Sequence, residues 1–272
     1  MACVLASIFR RSIQVAAKIR RDKPIRIQSA WNSDWSAIPT DDGNVPGPVL
    51  KVLREDPTTG AQTFLLHLPP NWYDPALDWH PTTEEGYIIA GEVVLNDRRL
   101  TAGCYLYRPP GILHGPAGSP HDLGATIVQR TDGPLRILRY TGKRYPHRDL
   151  QPITDDHLQS DVKWTERRDT RKLRWHHVKD GGWRGARLRW VHRNQRTGGG
   201  LVLLDLPAEW QGTGSEARGP VEEFILEGEV VAGGEEFGKW GYAYRPAGKA
   251  AGHYKSSAGA RILSWWNGAN EL

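Results

Sequence analysis

The sequence predicts an all-β protein made of two tandem double-sheet jelly-roll barrels, and three observations carry that prediction. Thirty Gly and 19 Pro among 272 residues cut the chain into short segments, the punctuation of strands and turns rather than of long helices. Those segments alternate apolar and polar side chains with a strand's period of two. The same order of segments then occurs twice along the chain, which is the mark of a duplicated fold.

The repeat fixes the elements in turn. Phe64-Leu65-Leu66-His67-Leu68-Pro69 with Trp72 recurs as Val202-Leu203-Leu204-Asp205-Leu206-Pro207 with Trp210, at an offset of 138 residues. Glu84-Glu85-Gly86-Tyr87 running to Gly91 returns as Glu222-Glu223-Phe224 running to Gly228, with one residue lost. Gly103-Cys-Tyr-Leu-Tyr107-Arg108-Pro109 with Gly111 returns as Trp240-Gly-Tyr-Ala-Tyr244-Arg245-Pro246 with Gly248. Within the first copy the strands fall at Thr63–Leu68, Gly86–Ala90, Tyr105–Arg108 and Ala125–Gln129. Sets of short antiparallel strands of this length close into double-sheet jelly rolls, which leave few open edges. The resulting division is an N-terminal extension over 1–26, a first barrel over 27–146, a polar connector over 147–162 and a second barrel over 163–272.

Charge excludes some functions. The net charge of +5 resides entirely in residues 1–23, where six Arg and Lys stand against Asp22 alone. The folded body is near neutral, so no basic face for nucleic acid is expected. The local cluster Arg167, Arg168, Arg171, Lys172 and Arg174 is offset by Glu166 and Asp169 and reads as a solvated edge. Only Cys3 and Cys104 are present, which rules out a disulfide framework and a Cys-rich zinc motif and fits a reducing compartment. No apolar run reaches the roughly 18 residues of a membrane span. Residues 1–23 mix apolar residues with Arg and Ser, and carry no acid before Asp22. That is the composition of an organellar transit peptide, with an N-terminal helix packed on the body as the alternative. The expected location is therefore an organellar matrix such as the mitochondrial one if the segment targets the chain, and the cytoplasm otherwise.

Two phrases carry the chemistry. Asp78-Trp79-His80-Pro-Thr-Thr-Glu84-Glu85 leads to Gly91, and Gly103 leads through Pro109 and Gly111 to His114. Imidazole and carboxylate suit borderline divalent metals, and two short strands and a turn can bring His80, Glu84 and His114 together. Alternation lets only one of Glu84 and Glu85 face inward, and the spacing to Gly91 favours Glu84 over Glu85. His67 lies on the preceding strand, its counterpart being Asp205; its orientation is open, and a role in the pocket is one reading. Tyr87, Tyr105, Tyr107 and Arg108 either line the barrel mouth or pack, and recurrence of the tyrosines in the second copy favours packing. The 12 Trp residues, Trp31, Trp35, Trp72, Trp79 and Trp210 among them, read as core or interface anchors.

These residues carry a resemblance to the cupin family. His80-x3-Glu84-x6-Gly91 is similar to the second half of the first cupin motif, and Gly103-x5-Pro109-x-Gly111-x2-His114 matches the fixed positions of the second motif. With both copies covered, the chain looks like a bicupin, its wording closest to the acetylacetone-dioxygenase-like and anti-sigma-factor-like cupins. The resemblance implies one divalent metal ion held by His80, Glu84 and His114, with Fe(II) favoured and Zn(II), Mn(II) or Ni(II) as alternatives. The family's first ligand histidine is replaced here by Asp78. Two residues from His80 on the same strand face, Asp78 is either a fourth ligand or an acceptor that orients His80 or a water. In the latter case two His and one carboxylate leave open positions, which favours Fe(II) and oxygen chemistry.

The function so implied is a mononuclear metal oxygenase cleaving a small diketone, hydroxyketone or phenolic substrate, with Asp78 or His67 accepting a proton. The alternatives are a non-catalytic metal- or ligand-binding sensor, and a non-oxidative metal-dependent lyase or isomerase. The partner is a small molecule, not nucleic acid or membrane, and pairing of cupins through sheet edges implies a homodimer. The second copy is expected to be structural. Ala217 or Arg218 stands at the place of His80, His253 falls two residues late, and a displaced pair of Glu222 and His253 offers too few ligands.

Overall fold

In the computed structural model, residues 24–31, 34–40, 43–120, 122, 124–140, 165–194, 197–214, 219–249 and 252–267 are described. The segment 1–23, the connector 147–162 and the position of His121 lie outside them. Among the described residues no helix is long and apolar enough to cross a membrane.

One bent strand organises the first barrel. Glu84–Leu95 pairs along its first part with Cys104–Arg108 on one side and Ala125–Thr131 on the other. Its last residues pair instead with Arg98–Thr101 and Ala117–Ser119 in the facing layer. The bend lies at an irregularity in the ladder next to Gly91, which has φ +73°. A Cβ there would stand 1.9 Å from the carbonyl oxygen of Gly124, so glycine is required by both conformation and space. The large sheet continues from Ala125–Thr131 through Gln62–Leu68 and Gly43–Glu55 to Ser36–Thr40. Trp72–Asp74 joins the small layer through Ala117–Ser119, and Asp78–Trp79 pairs with Leu138–Arg139.

The second barrel repeats this plan. Its large sheet runs from Tyr242–Arg245 through Val221–Gly228, Ala260–Trp266 and Gly200–Leu206 to Arg187–Arg193. Its small sheet joins Trp210–Gly212, Tyr254–Ser256, Val230–Ala232 and Glu235–Phe237. The interior is filled by stacked Trp183 and Trp210, with Tyr254 against Trp183.

The pairing corrects the register of the repeat. Glu222 lies opposite Tyr244 and Trp265, as Glu85 lies opposite Tyr107 and Arg130. Glu222 is therefore the counterpart of Glu85, and Val221 takes the place of Glu84. Aligning the two acidic pairs on each other slips the register by one, because Gly91 and Gly228 correspond at the same spacing as Glu85 and Glu222.

The halves also exchange edges. Ile25–Ile27, ahead of the first barrel, pairs with Tyr242–Arg245 of the second. Thr165–Asp169, ahead of the second, pairs with Cys104–Arg108 of the first. Each exchange covers a strand edge that would otherwise stay open. The outer faces of the two large sheets then pack on each other through Leu65, Tyr87, Tyr105 and Tyr107 against Leu203, Phe224, Tyr242 and Trp265. The tyrosines are thus packing residues. Within this layer the fully buried Glu222 carboxylate receives Arg130 at 2.9 Å and the Tyr242 hydroxyl at 2.7 Å, and the Thr63 hydroxyl also donates to it.

Candidate metal centre

Local backbone links bring the two ligand phrases together. Asp78 N–H donates to His114 O at 2.8 Å and His114 N–H returns to Asp78 O at 2.9 Å. Gly111, at φ +79°, donates its N–H to His80 O at 2.8 Å. The turn Pro109–Gly111 is thereby pinned against the residue it must face. Thr83 binds both oxygens of Asp132 through its N–H and hydroxyl, at 2.8 and 2.7 Å, fixing the entry to the strand that carries Glu84.

His80, Glu84 and His114 converge, each offering a ligand atom within 4.8 Å of the others, and all three are buried. Both Nε2 atoms lie 3.8 Å from the same Glu84 oxygen, Oε2. His80 Nδ1 is 2.9 Å from Arg136 O and His114 Nδ1 is 2.9 Å from Ile112 O. A carbonyl only accepts, so each Nδ1 carries the proton and each Nε2 presents a lone pair to the common centre. Two imidazole nitrogens and one carboxylate oxygen so disposed fit a divalent ion. Glu85, one residue on, points to the opposite face and meets Tyr105 at 2.9 Å and Arg130 at 3.5 Å.

Glu84 is held by side chains that the sequence did not single out for this role. Arg108, directly across the ladder, donates from Nη1 to Glu84 Oε2 at 2.6 Å, and Gln129 donates to Oε1. Burial would raise the Glu84 carboxyl, but the Arg108 guanidinium, helped by the two histidines, outweighs it and holds the group down at about 2. Burial, reinforced by Arg108 and opposed by Glu84, pushes His114 down to about 3 from an ordinary 6.5. The unfolded chain therefore takes up a proton near pH 6.5 that folded His114 refuses until about pH 3. Folding stability is full above that range and falls as pH drops through it. Urea unfolding of chelator-treated protein should show a lower midpoint at pH 5 than at pH 8, and His114→Phe should flatten that difference.

Asp78 and His67 are placed differently from the ligand trio. The Asp78 carboxylate is engaged by Arg139 Nη1 at 3.0 and 3.2 Å, and the same nitrogen binds Asp74 at 2.8 Å. Asp78 lines the cavity but is not among the converging ligand atoms. Burial raises its carboxyl, with Arg139 opposing. Its contribution to the trio is through its backbone pairing with His114. His67 is corrected more sharply. Phe64, Leu66 and Leu68 line the cavity, so alternation turns His67 to the other face. There its ring meets Trp31 and Trp35, and Nδ1 lies 3.1 Å from Thr126 Oγ1. Its ring thus lies on the sheet face away from the cavity lining.

The cavity holding the trio has a volume of about 110 Å³. Its lining is largely apolar, including Ile38, Val45, Leu50, Phe64, Leu66 and Ile127, with His80, Glu84, His114, Arg108 and Gln129 among its polar members. In the second barrel Glu222 points into the layer between the halves and His253 is exposed. Glu223 is bound instead by Arg245 at 3.1 Å and Tyr254 at 2.6 Å. Among the described residues the trio is the metal-ligand group that forms; positions 217 and 218 lie outside them.

Comparison with known proteins bears on the fold. Residues 30–132 match the family of ChrR cupin-like domains. No curated protein matches the chain. Among solved structures, a candidate dioxygenase from Nostoc punctiforme superposes with TM-score 0.70 at 17% identity, covering 89% of this chain and 78% of that one. Protein Ylba from E. coli gives TM-score 0.56 at 15% identity over 94% and 96%. A mutant of oxalate decarboxylase from Bacillus subtilis gives 0.56 at 14% over 92% and 80%. Residues 30–132 thus match the family of ChrR cupin-like domains, and the chain as a whole shares with these solved structures a fold of two jelly-roll barrels.

Proposed function

We propose that the protein is a mononuclear metal-dependent oxygenase, with Fe(II) the favoured ion, acting on a small oxygenated organic molecule. The observation that carries the reading is the pair of Nε2 lone pairs and the Glu84 oxygen, all directed to one point at the polar end of an apolar cavity. Two His and one carboxylate leave coordination positions free, and an iron ion there supplies Lewis acidity and one-electron chemistry toward substrate and dioxygen. The chain's own residues prepare the site. The Arg136 and Ile112 carbonyls hold the imidazoles in one tautomer. Arg108 and Gln129 hold Glu84 ionised and fixed. The apolar wall receives the carbon skeleton and keeps water from the reacting end. Asp78, at the cavity lining beside His80 and paired with Arg139, is the acidic group we assign to accept a proton there.

The resemblance in fold to the Nostoc candidate dioxygenase supports this reading. Mn(II) centres are described for the Bacillus subtilis oxalate decarboxylase, so Mn(II) with non-oxidative cleavage is the nearest alternative chemistry. The ChrR match favours a second reading, a metal-binding sensor without turnover. Oxygen uptake by iron-loaded protein over a panel of β-diketones, hydroxyketones and phenols separates them. Substrate-dependent uptake supports the oxygenase, whereas bound metal with no uptake and no product across the panel leaves the sensor.

A further inference from the structure

The pairing that aligns the two barrels also matches residues lining the cavity with residues filling the second interior. Ala117 pairs with Asp74 and Ser119 with Trp72, as Tyr254 pairs with Gly212 and Ser256 with Trp210. Ala117 is therefore the counterpart of Tyr254. Trp72 Nε1 donates to Pro46 O and Trp210 Nε1 to Arg184 O, each at 2.9 Å. Val45, one residue before Pro46, is thus the counterpart of Trp183. With Glu222 matching Glu85, the next residues Glu223 and Gly86 correspond. So do Arg245 and Arg108, which lie opposite Val221 and Glu84.

In the second barrel these residues form one packed unit. The Tyr254 hydroxyl donates to Glu223 at 2.6 Å, and Arg245 donates to the other oxygen of that carboxylate at 3.1 Å. The Tyr254 ring lies 5.1 Å from Trp183, which stacks on Trp210 at 5.4 Å and 16°. The first barrel keeps the tryptophan as Trp72 and the arginine as Arg108, but has Val45, Gly86 and Ala117 in place of the three large side chains. Val45, Ala117 and Trp72 all line the cavity. Interiors are close-packed, so side-chain volume that is absent and not refilled is space for a ligand. The space here, about 110 Å³, is of the same order as the roughly 150 Å³ apolar cavity that takes up benzene, which limits the occupant to one ring. Orientation follows from the same match. Tyr254 points its oxygen at the carboxylate that Arg245 binds, and in the first barrel the carboxylate that Arg108 binds is Glu84 of the trio.

We infer that Val45 and Ala117 are specificity-determining residues and that the substrate is a single-ring phenol. Its ring lies against Trp72, in the space that Trp183 and Tyr254 fill in the second barrel, with its oxygen toward His80, Glu84 and His114. This rests on the proposed function for the same site and narrows the substrates to phenols.

The test is calorimetric titration of the full chain with phenol, with cyclohexanol, a ring of similar size that is not flat, and with 2-naphthol, which has two fused rings. Zn(II)-loaded and chelator-treated protein are both titrated, the second to remove any contribution of a bond from oxygen to metal. Stacking on an indole predicts roughly three- to tenfold tighter binding of phenol than of cyclohexanol in both forms. The size limit predicts that 2-naphthol binds roughly tenfold or more weakly than phenol. Ala117→Tyr and Val45→Trp, which install the second barrel's residues, should each weaken phenol binding by roughly tenfold or more, with metal content at the wild-type level. No binding of phenol to wild-type protein overturns the inference. So does cyclohexanol or 2-naphthol binding as tightly as phenol, or phenol binding that is unchanged in either variant. The wild-type ranking of the three probes stands even if the variants fail to fold. If wild-type protein takes up no metal, the oxygenase reading fails, and the ranking on metal-free protein still decides the single-ring pocket.

Discussion

His114→Ala is expected to strip the protein of metal. His114 is one of three ligands, its Nε2 and that of His80 share Glu84 Oε2 as their common neighbour, and an alanine puts nothing in its place. Since even groups that merely orient ligands contribute about 10- to 100-fold in metal affinity, loss of a ligand should cost on the order of 100-fold or more. Metal content after dialysis reads this directly, with circular dichroism to confirm the fold. His253→Ala serves as the control, because that side chain is exposed on the second barrel. Metal loss in the control and retention in His114→Ala would place the centre in the wrong half.

The second large effect is on stability. Arg130 joins the halves, reaching Glu222 at 2.9 Å and Glu85 at 3.5 Å. Arg130→Met leaves the fully buried Glu222 with the more distant Arg54 at 3.7 Å as its cation. Removing one partner of a buried pair strands the other charge, and a loss of about 3–5 kcal/mol is expected in urea unfolding. Adding Glu222→Gln to Arg130→Met should recover part of that loss, since the stranded charge is then gone. If Arg130→Met alone costs under about 1 kcal/mol, in the range of an exposed pair, the layer between the barrels is not the buried contact described.

How much of this was legible in the sequence depends on how local the cause is. The strands and the trio His80, Glu84 and His114 follow from spacings within some 35 residues, where strand period and turn glycines dictate which side chains meet, and the duplication from the recurrence of those local patterns. The spacing to Gly91 favoured Glu84 over Glu85, and it is Glu84 that meets His80 and His114. Phase was harder. His67 could not be assigned a face until Phe64, Leu66 and Leu68 were seen inside the barrel. Asp78 stayed open between a ligand and an orienting acceptor because its partner, Arg139, lies 61 residues away on a two-residue strand with no period to reveal it. Arg108 and Gln129 became visible as partners of Glu84 only through the register of three strands. The exchange of Ile25–Ile27 and Thr165–Asp169 between halves leaves no trace in either repeat, because it is a pairing between copies.

The central claim is a single metal ion held by His80, Glu84 and His114. X-ray absorption on protein purified without chelator and loaded with one equivalent of Fe(II) tests it most directly. The account predicts a shell with two imidazole nitrogens and a carboxylate oxygen, and loss of the imidazole signal in a His80→Ala, His114→Ala double variant. A metal shell without imidazole, or one unchanged in that double variant, would contradict it.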